Sequence, residues 1–360
     1  MSQYRLSDVT WVIIETTNIC NMTCSYCPKS LDELNHRKIG TDVFSKETFL
    51  KIIDYFPNLP NLRYVSFTDF NEFFQTPELT TFYLPELKKR GLPYAIFSNG
   101  SVAPKKIEYY AEHQPVNLVV GLQTITESQY YLTNRLEKVS WDDYIKNVAK
   151  LIKFFYENCQ NTLISIEIAI NETNDLYHKF TKSVSNKHIP SESEQITYLP
   201  KFIKNLSKLT NIKFEYGSRK GRIDSQRVVA KTADGRIVFG LKAFSDITKF
   251  YDNIPVNNDP ICFTDSLTFD VNGKVKMCCI DFRNSTEFAD ASKEDMASVF
   301  SKYLSLVDEM RSKGSRFDGC KNCKGYKSEG EKLLSLRKNY YPRIVKKYPF
   351  VRNIRNFLFK

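Results

Sequence analysis

Short apolar runs alternate along the chain with stretches in which apolar residues recur every three or four positions. The runs at 10–15, 62–68, 93–98, 116–122, 163–170 and 212–216 predict six strands. Between them 46–56, 84–90, 105–112, 141–159 and 195–209 predict amphipathic helices, with Phe49, Ile52, Ile53 and Phe56 on one face of the first. Strand and helix in alternation predict an α/β protein with a parallel sheet, and the pattern by itself fits a barrel and a doubly wound sheet equally. In both, chemistry gathers at the carboxyl ends of the strands. No internal repeat or low-complexity segment interrupts the pattern.

The first predicted strand leads into Cys20-Asn21-Met22-Thr23-Cys24-Ser25-Tyr26-Cys27-Pro28. Three thiolates are one too few for a closed four-coordinate site, whereas a [4Fe–4S] cubane held by Cys20, Cys24 and Cys27 keeps one iron open for another ligand. A zinc knuckle completed by His36 is the competing reading. With this spacing the chain resembles the radical S-adenosylmethionine (SAM) superfamily, and Tyr26, an aromatic before the third cysteine, fits that likeness. The resemblance implies a partial (β/α)6 TIM-like barrel, with SAM chelated by the open iron. It further implies SAM cleavage to a deoxyadenosyl radical that takes a hydrogen atom from substrate, with electrons from a flavodoxin- or ferredoxin-type donor.

The same likeness assigns SAM contacts to later strand ends. Ser66-Phe67-Thr68-Asp69-Phe70-Asn71-Glu72 resembles the family's Gly-Gly-Glu segment, with Glu72 facing the SAM ammonium and Phe70 and Asn71 in place of the glycines. Ser98-Asn99-Gly100 resembles its Thr-Asn-Gly, and Gln123 with Arg135 resembles the residues that hold the SAM ribose and carboxylate; Gly121 stands where many relatives have serine. Asn171, after the fifth strand, is a weaker candidate of the same kind.

A second cysteine set comprises Cys262, Cys278 and the pair Cys320 and Cys323, with Asn272-Gly273 marking a hairpin between the first two. It resembles the SPASM/twitch extension of radical SAM enzymes, with Ser218 to Arg222 resembling the joining segment, which implies one auxiliary [4Fe–4S] cluster; four-cysteine zinc is the alternative. Cys279 is then left over, a hydrogen-atom donor or a buried small hydrophobe, and Asp281 is a candidate base. Cys159 reads as core.

With 360 residues, 42% hydrophobic and 14% aromatic, the chain can bury a large core. We expect a radical SAM barrel over 1–217, a twitch-like domain over 218–323 and a basic, aromatic tail over 324–360. The net charge is +11, and the tail alone carries eleven Lys or Arg against Glu329 and Glu331. That tail reads as a docking helix with solvated charges, or as a contact for nucleic acid or a membrane surface. Nine clustered cysteines and no long apolar segment predict a cytoplasmic protein without a membrane span. The function expected is oxidation of a small polar substrate, the auxiliary cluster accepting an electron. Few residues precede the first strand, which weighs against the alternative, a peptide maturase that oxidises, crosslinks or epimerises a ribosomally made peptide. A nucleic-acid-binding protein with structural metal sites is the further alternative.

Overall fold

The computed structural model describes residues 4–24, 27, 42–68, 71–102, 104, 106–133, 139–170, 189–216, 222–223, 226–243, 266–278, 281, 284–313 and 316–317. These include twelve strands in one sheet: β1 (Trp11–Ile14), β2 (Tyr64–Ser66), β3 (Tyr94–Ser98), β4 (Asn117–Leu122), β5 (Leu163–Ile170), β6 (Glu215–Tyr216), β7 (Arg222–Ile223), β8 (Gln226–Lys231), β9 (Ile237–Ala243), β10 (Ser266–Phe269), β11 (Lys274–Lys276) and β12 (Glu287–Asp290). The order is β12-β11-β10-β1-β2-β3-β4-β5-β9-β8-β6, with β7 paired to β8. From β10 through β9 every neighbouring pair is parallel. The sheet does not close, as expected of a partial barrel.

The α-helices are α1 (Lys46–Tyr55), α2 (Leu84–Lys89), α3 (Tyr109–Glu112), α4 (Glu127–Thr133), α5 (Trp141–Asn158), α6 (Glu192–Thr210) and α7 (Met296–Lys313). Serine caps start three of them. The hydroxyls of Ser45, Ser140 and Ser191 accept from Thr48 N, Asp143 N and Glu194 N, and Glu194 closes a capping box on Ser191. Each satisfies a backbone donor that the first helical turn leaves unpaired.

Strand side chains alternate between two faces. Val12, Ile14, Val65, Ile96, Leu118, Val120, Ile164, Ile166 and Ile168 are wholly buried on the face that helices cover. Phe49 of α1 meets Phe67 edge-on there, and Val148 of α5 lies beside Gly100 and Val120. The other face is mixed, with Trp11 stacked on Phe97 and its indole N–H donating to Ser66 Oγ at 2.8 Å.

Five of the six predicted strands occur where expected, but the sixth parallel strand is β9 rather than 212–216. Only Glu215 and Tyr216 of that run are strand, as an antiparallel edge on β8. The sequence carries the reason. β8 and β9 form a hairpin around Asp234-Gly235, with Gly235 at φ +72°, and β9 is apolar from Ile237 through Leu241, as suits a strand paired in parallel with β5.

Candidate functional site

β1 ends at the entrance of the three-cysteine loop, and polar residues tie down both ends of that loop. Thr17 Oγ1 donates to Asp42 O at 2.9 Å, Asn18 Nδ2 donates to Asp42 Oδ2 at 2.8 Å, and Phe44 N donates to Thr16 O at 2.9 Å. Within the loop Cys27 N donates to Cys24 O at 2.9 Å, so these two cysteines share one turn. Cys24 is buried, and Cys20 and Cys27 are partly buried.

Asn21 fastens this loop to the end of β3. Its Nδ2 donates to Ser101 Oγ at 2.7 Å and its Oδ1 accepts from Asn99 Nδ2 at 3.1 Å. Ser101 N donates in turn to Asn99 Oδ1 at 2.8 Å, and Asn147 Nδ2 of α5 donates to Ser101 O at 2.8 Å. Gly100 makes the turn possible. It has φ +72°, and a Cβ there would stand 2.8 Å from Val148 Cγ2.

Glu72 joins the same assembly from the end of β2. Its Oε1 accepts from Ser98 Oγ at 2.6 Å and from Phe74 N at 3.4 Å, and its Oε2 accepts from Asn99 N at 2.8 Å. Only 1% of the residue is exposed, and burial holds its carboxyl above the ordinary 4.5, against the opposing pull of the hydrogen bonds from Asn99, Ser98 and Phe74. Tyr144 of α5 donates to Asn99 O at 3.1 Å and stacks on Tyr130 at 4.9 Å. Burial raises its hydroxyl far above 10, and Tyr130, the Cys24 thiol and Glu72 add to that rise. Burial likewise pushes Tyr130 up to about 12, with Tyr131 and Cys24 contributing. Cys24, Glu72, Tyr130 and Tyr144 are thus electrostatic neighbours.

Gln123 extends the site to the end of β4. A Cβ on Gly121 would lie 3.7 Å from Gln123 Nε2 and 3.9 Å from Ser98 O, so the carboxamide folds back over Gly121 toward β3. Its Oε1 is buried without a hydrogen-bond partner. The structure therefore gathers Cys20, Cys24, Cys27, Glu72, Ser98, Asn99 and Gln123 at the carboxyl ends of β1 to β4.

Cys278 and Asp281 stand elsewhere, on the β10–β12 flank beyond β1. Lys276 pairs with Thr268, and Cys278 comes two residues further along a strand that runs away from the carboxyl ends. Asp281 is buried and its carboxylate accepts from Ser285 Oγ at 3.0 Å and from Thr286 N and Oγ1 at 2.6 and 2.7 Å, all in its own loop. Tyr26, Arg135, Asn171, Cys262, Cys279, Cys320, Cys323 and the tail lie outside the described residues. Cys159 caps the C-terminus of α5 in the core, where its Sγ donates to Tyr110 O at 3.3 Å and burial raises the thiol to about 11. Sequence reading missed Asn21, Ser101, Tyr144 and Asn147. Only Asn21, inside the cysteine motif, carried a local signal.

The donor set tests which group fits. Among the described residues no three His, Cys, Asp or Glu gather round a point that would hold one metal ion. A cubane takes each ligand on a different iron and spreads them, and thiolates alone suit iron–sulfur chemistry. Glu72 is a buried carboxyl whose ionised form burial disfavours, a position that a cationic ligand group would relieve. The residues present fit a [4Fe–4S] cluster and SAM.

Residues 14–182 match the family profile described as the radical SAM superfamily. No curated protein matches the chain. Among solved structures, SuiB of Streptococcus suis bound to SAM is 15% identical, with 85% of this chain and 68% of that chain covered and a TM-score of 0.50. The anSMEcpe structure with bound AdoMet is 12% identical, with 94% of each chain covered and a TM-score of 0.50. BtrN in complex with AdoMet and 2-DOIA is 13% identical over 91% of this chain and 97% of that one, at a TM-score of 0.48. At these identities the likeness is one of fold. Among the described residues no helix is long and apolar enough to cross a membrane. The profile match, the three-thiol loop and the strand-end residues agree: residues 14–182, a little under half of the chain, are similar to the radical SAM superfamily, whose enzymes use SAM and a [4Fe–4S] cluster.

Proposed function

We propose that the chain oxidises a small polar substrate by radical SAM chemistry, with a second [4Fe–4S] cluster on Cys262, Cys278, Cys320 and Cys323 taking the second electron. The observation that carries the radical step is the bonding of the three-thiol loop to the ends of β2 and β3 through Asn21, Asn99, Ser98 and Glu72. Cys20, Cys24 and Cys27 would hold the first cluster, and Glu72, Ser98, Asn99, Gln123, Tyr26 and Arg135 would surround SAM. Bound there, cluster and SAM supply a reducing electron and a deoxyadenosyl radical that takes a hydrogen atom from the substrate.

This chain's own residues set the conditions. Glu72 offers negative charge to an ammonium, while Ser98 and Asn99 N–H keep the carboxylate aimed. The Tyr130 and Tyr144 rings shield the Cys24 side, where both hydroxyls stay protonated. An electron donor of the flavodoxin or ferredoxin type would feed the first cluster. We keep a three-part division of the chain with the second boundary at 323, and move the first from 217 to beyond β9, which pairs in parallel with β5. The Asp281 carboxylate accepts from Ser285 and Thr286 in its own loop, so we read that residue as holding the turn and leave the base unassigned; Cys279 stays a candidate donor only for an epimerase.

The test is anaerobic reconstitution with iron, sulfide and SAM, followed by reduction and assay of 5′-deoxyadenosine. Formation of deoxyadenosine that depends on the three cysteines supports the reading. A reconstituted protein that holds no iron at these thiols, or holds it and leaves SAM intact, overturns it.

A further inference from the structure

α6 buries Gln195, Leu199, Phe202, Ile203, Leu206 and Thr210 and turns its other side to solvent. That side carries Tyr198, 46% exposed, Leu209, 41% exposed, and the exposed Lys201, Lys204 and Lys208. At 3.6 residues per turn these five lie within about 140° of the helix circumference, so they share one face. No Asp or Glu occurs from Gln195 through Phe214, and Lys213 adds a further charge just past the Asn211 cap.

Several lysines elsewhere are neutralised locally. Lys46, Lys146, Lys153 and Lys302 have carboxylate partners at 2.8, 3.9, 3.9 and 2.5 Å. Among the described residues Lys201, Lys204 and Lys208 have no such partner. Lys201 and Lys204 stand three residues apart and Lys204 and Lys208 four, the spacings at which like charges on a helix repel. The row works against its own helix, and an anionic partner relieves that repulsion.

The shape and place of the face narrow the partner. The solvent side of a surface helix is convex, and Pro200, exposed within α6, adds to the bend, so the face offers no groove to an acidic peptide. α6 packs on β5, four strand spacings or about 19 Å along the sheet from β1, far from the cysteine loop that an electron donor must approach. Tyr198 and Leu209 bracket the lysines at a separation of about 16 Å along the axis, which is no platform for successive stacked bases. A flat layer of phosphates over an apolar layer suits all five side chains. Lysine stems lie along such a boundary with their ammoniums at the phosphates, and a tyrosine ring and a leucine settle just beneath.

We propose that this face of α6 docks on an anionic lipid surface, with Lys201, Lys204 and Lys208 on the headgroup phosphates and Tyr198 and Leu209 at the acyl boundary. The site at the carboxyl ends of β1 to β4 takes no part in the contact.

Sedimentation of the full-length, reconstituted protein with vesicles tests this. One set is phosphatidylcholine alone and the other equal parts phosphatidylcholine and phosphatidylglycerol. At about 0.1 M salt the wild type should bind the anionic vesicles at least about tenfold better than the neutral ones, and salt of about 1 M should release it. The C-terminal tail is basic as well, so variants on α6 carry the decision. Lys201→Ser, Lys204→Ser and Lys208→Ser together should weaken binding by at least about tenfold, whereas arginine at the same three positions should keep it within about threefold. Tyr198→Ser with Leu209→Ser should weaken it by about threefold to tenfold. All of these positions are exposed, so circular dichroism and deoxyadenosine formation should match wild type in each variant. Equal binding of the triple serine variant and the wild type, or no preference for anionic vesicles, overturns the proposal. Binding of poly-L-glutamate or polyuridylate through these lysines, without binding to vesicles, overturns it too, by assigning the face to an acidic protein or to nucleic acid.

Discussion

The carboxyl ends of β1 to β4 and the β10–β12 flank each hold a buried carboxylate that the sequence singles out, Glu72 and Asp281, and the hydrogen bonds described around the two differ in reach. Glu72, Asn99, Asn21 and Ser101 bond across chain separations of 26 to 80 residues and fasten the cysteine loop to two strand ends. The carboxylate of Asp281 bonds to Ser285 and Thr286, four and five residues away. A local network completes a turn, which any fold needs at that point. A network that joins distant segments fixes the relative placement of side chains that have no folding reason to be together, and that is what a site requires.

The sharpest break of this comparison removes the thiols of the first region. Replacing Cys20, Cys24 and Cys27 together with alanine should abolish deoxyadenosine formation. It should also lower reconstituted iron from about eight to about four atoms per chain, if the distal cysteines hold their own cluster. Iron and labile sulfide assays read the count. Four irons in the wild type, with zinc in addition, would remove the auxiliary cluster from the proposal and keep the radical step.

Legibility in the sequence follows the same division. The strands that bury one face against helices, such as Leu163–Ile170, announce themselves by apolar run and length, and the cysteine spacing announces its chemistry. Glu72 and Ser98 were reachable because they end such strands. Tyr144, Asn147 and Ser101 were not, because their roles arise only when α5 packs over the end of β3, a contact between positions 45 and 46 residues apart. The sixth parallel strand was missed for a related reason. Its partner is β5, across a hairpin whose Asp234-Gly235 turn the periodicity scan passed over.

Next in size is Glu72→Gln. A charge-assisted hydrogen bond contributes about 1.5–3 kcal/mol, so the loss of charge should weaken SAM binding by one to two powers of ten, with cluster content kept. The pH dependence has a definite sign. The folded carboxyl lies above the ordinary 4.5, so the folded state holds its proton longer than the unfolded chain does. Without SAM, stability is therefore full below the unfolded value and is lost as pH rises from there through the folded value. Glu72→Gln should flatten that fall. SAM affinity of the wild type should rise across the same window as the carboxylate forms. An affinity that is unchanged in the variant and flat with pH would take Glu72 out of contact with SAM and leave it as a link between β2 and β3.

Tyr144→Phe should act more weakly, because it removes one neutral hydrogen bond to Asn99 O and leaves the stacking on Tyr130 in place. Such a bond contributes about 0.5–1.5 kcal/mol. Thermal unfolding should show a drop of that size, and SAM affinity should fall by no more than about tenfold, through the looser placement of Asn99. A larger loss of SAM affinity than of stability would move the Tyr144 hydroxyl from a support of Asn99 into the site itself.

The smallest effect on SAM chemistry belongs to Asp281→Asn. The substitution puts an amide N–H where Thr286 N and Oγ1 now donate at 2.6 and 2.7 Å, so donors face donors or the amide turns and one bond is lost. Stability should fall by about 1–3 kcal/mol, the range for a buried donor left unsatisfied. Deoxyadenosine formation per folded, cluster-loaded chain should match wild type, since the bonds from Ser285 and Thr286 place the Asp281 carboxylate in the β11–β12 turn. Once a substrate is known, the decisive reading is the ratio of oxidised product to deoxyadenosine at equal cluster content. A ratio equal to that of wild type places Asp281 among turn-forming residues. A ratio that collapses while the melting temperature holds would make its carboxylate the base that takes the substrate's proton, and local hydrogen bonding would then be no guide to which carboxylates of this fold do chemistry.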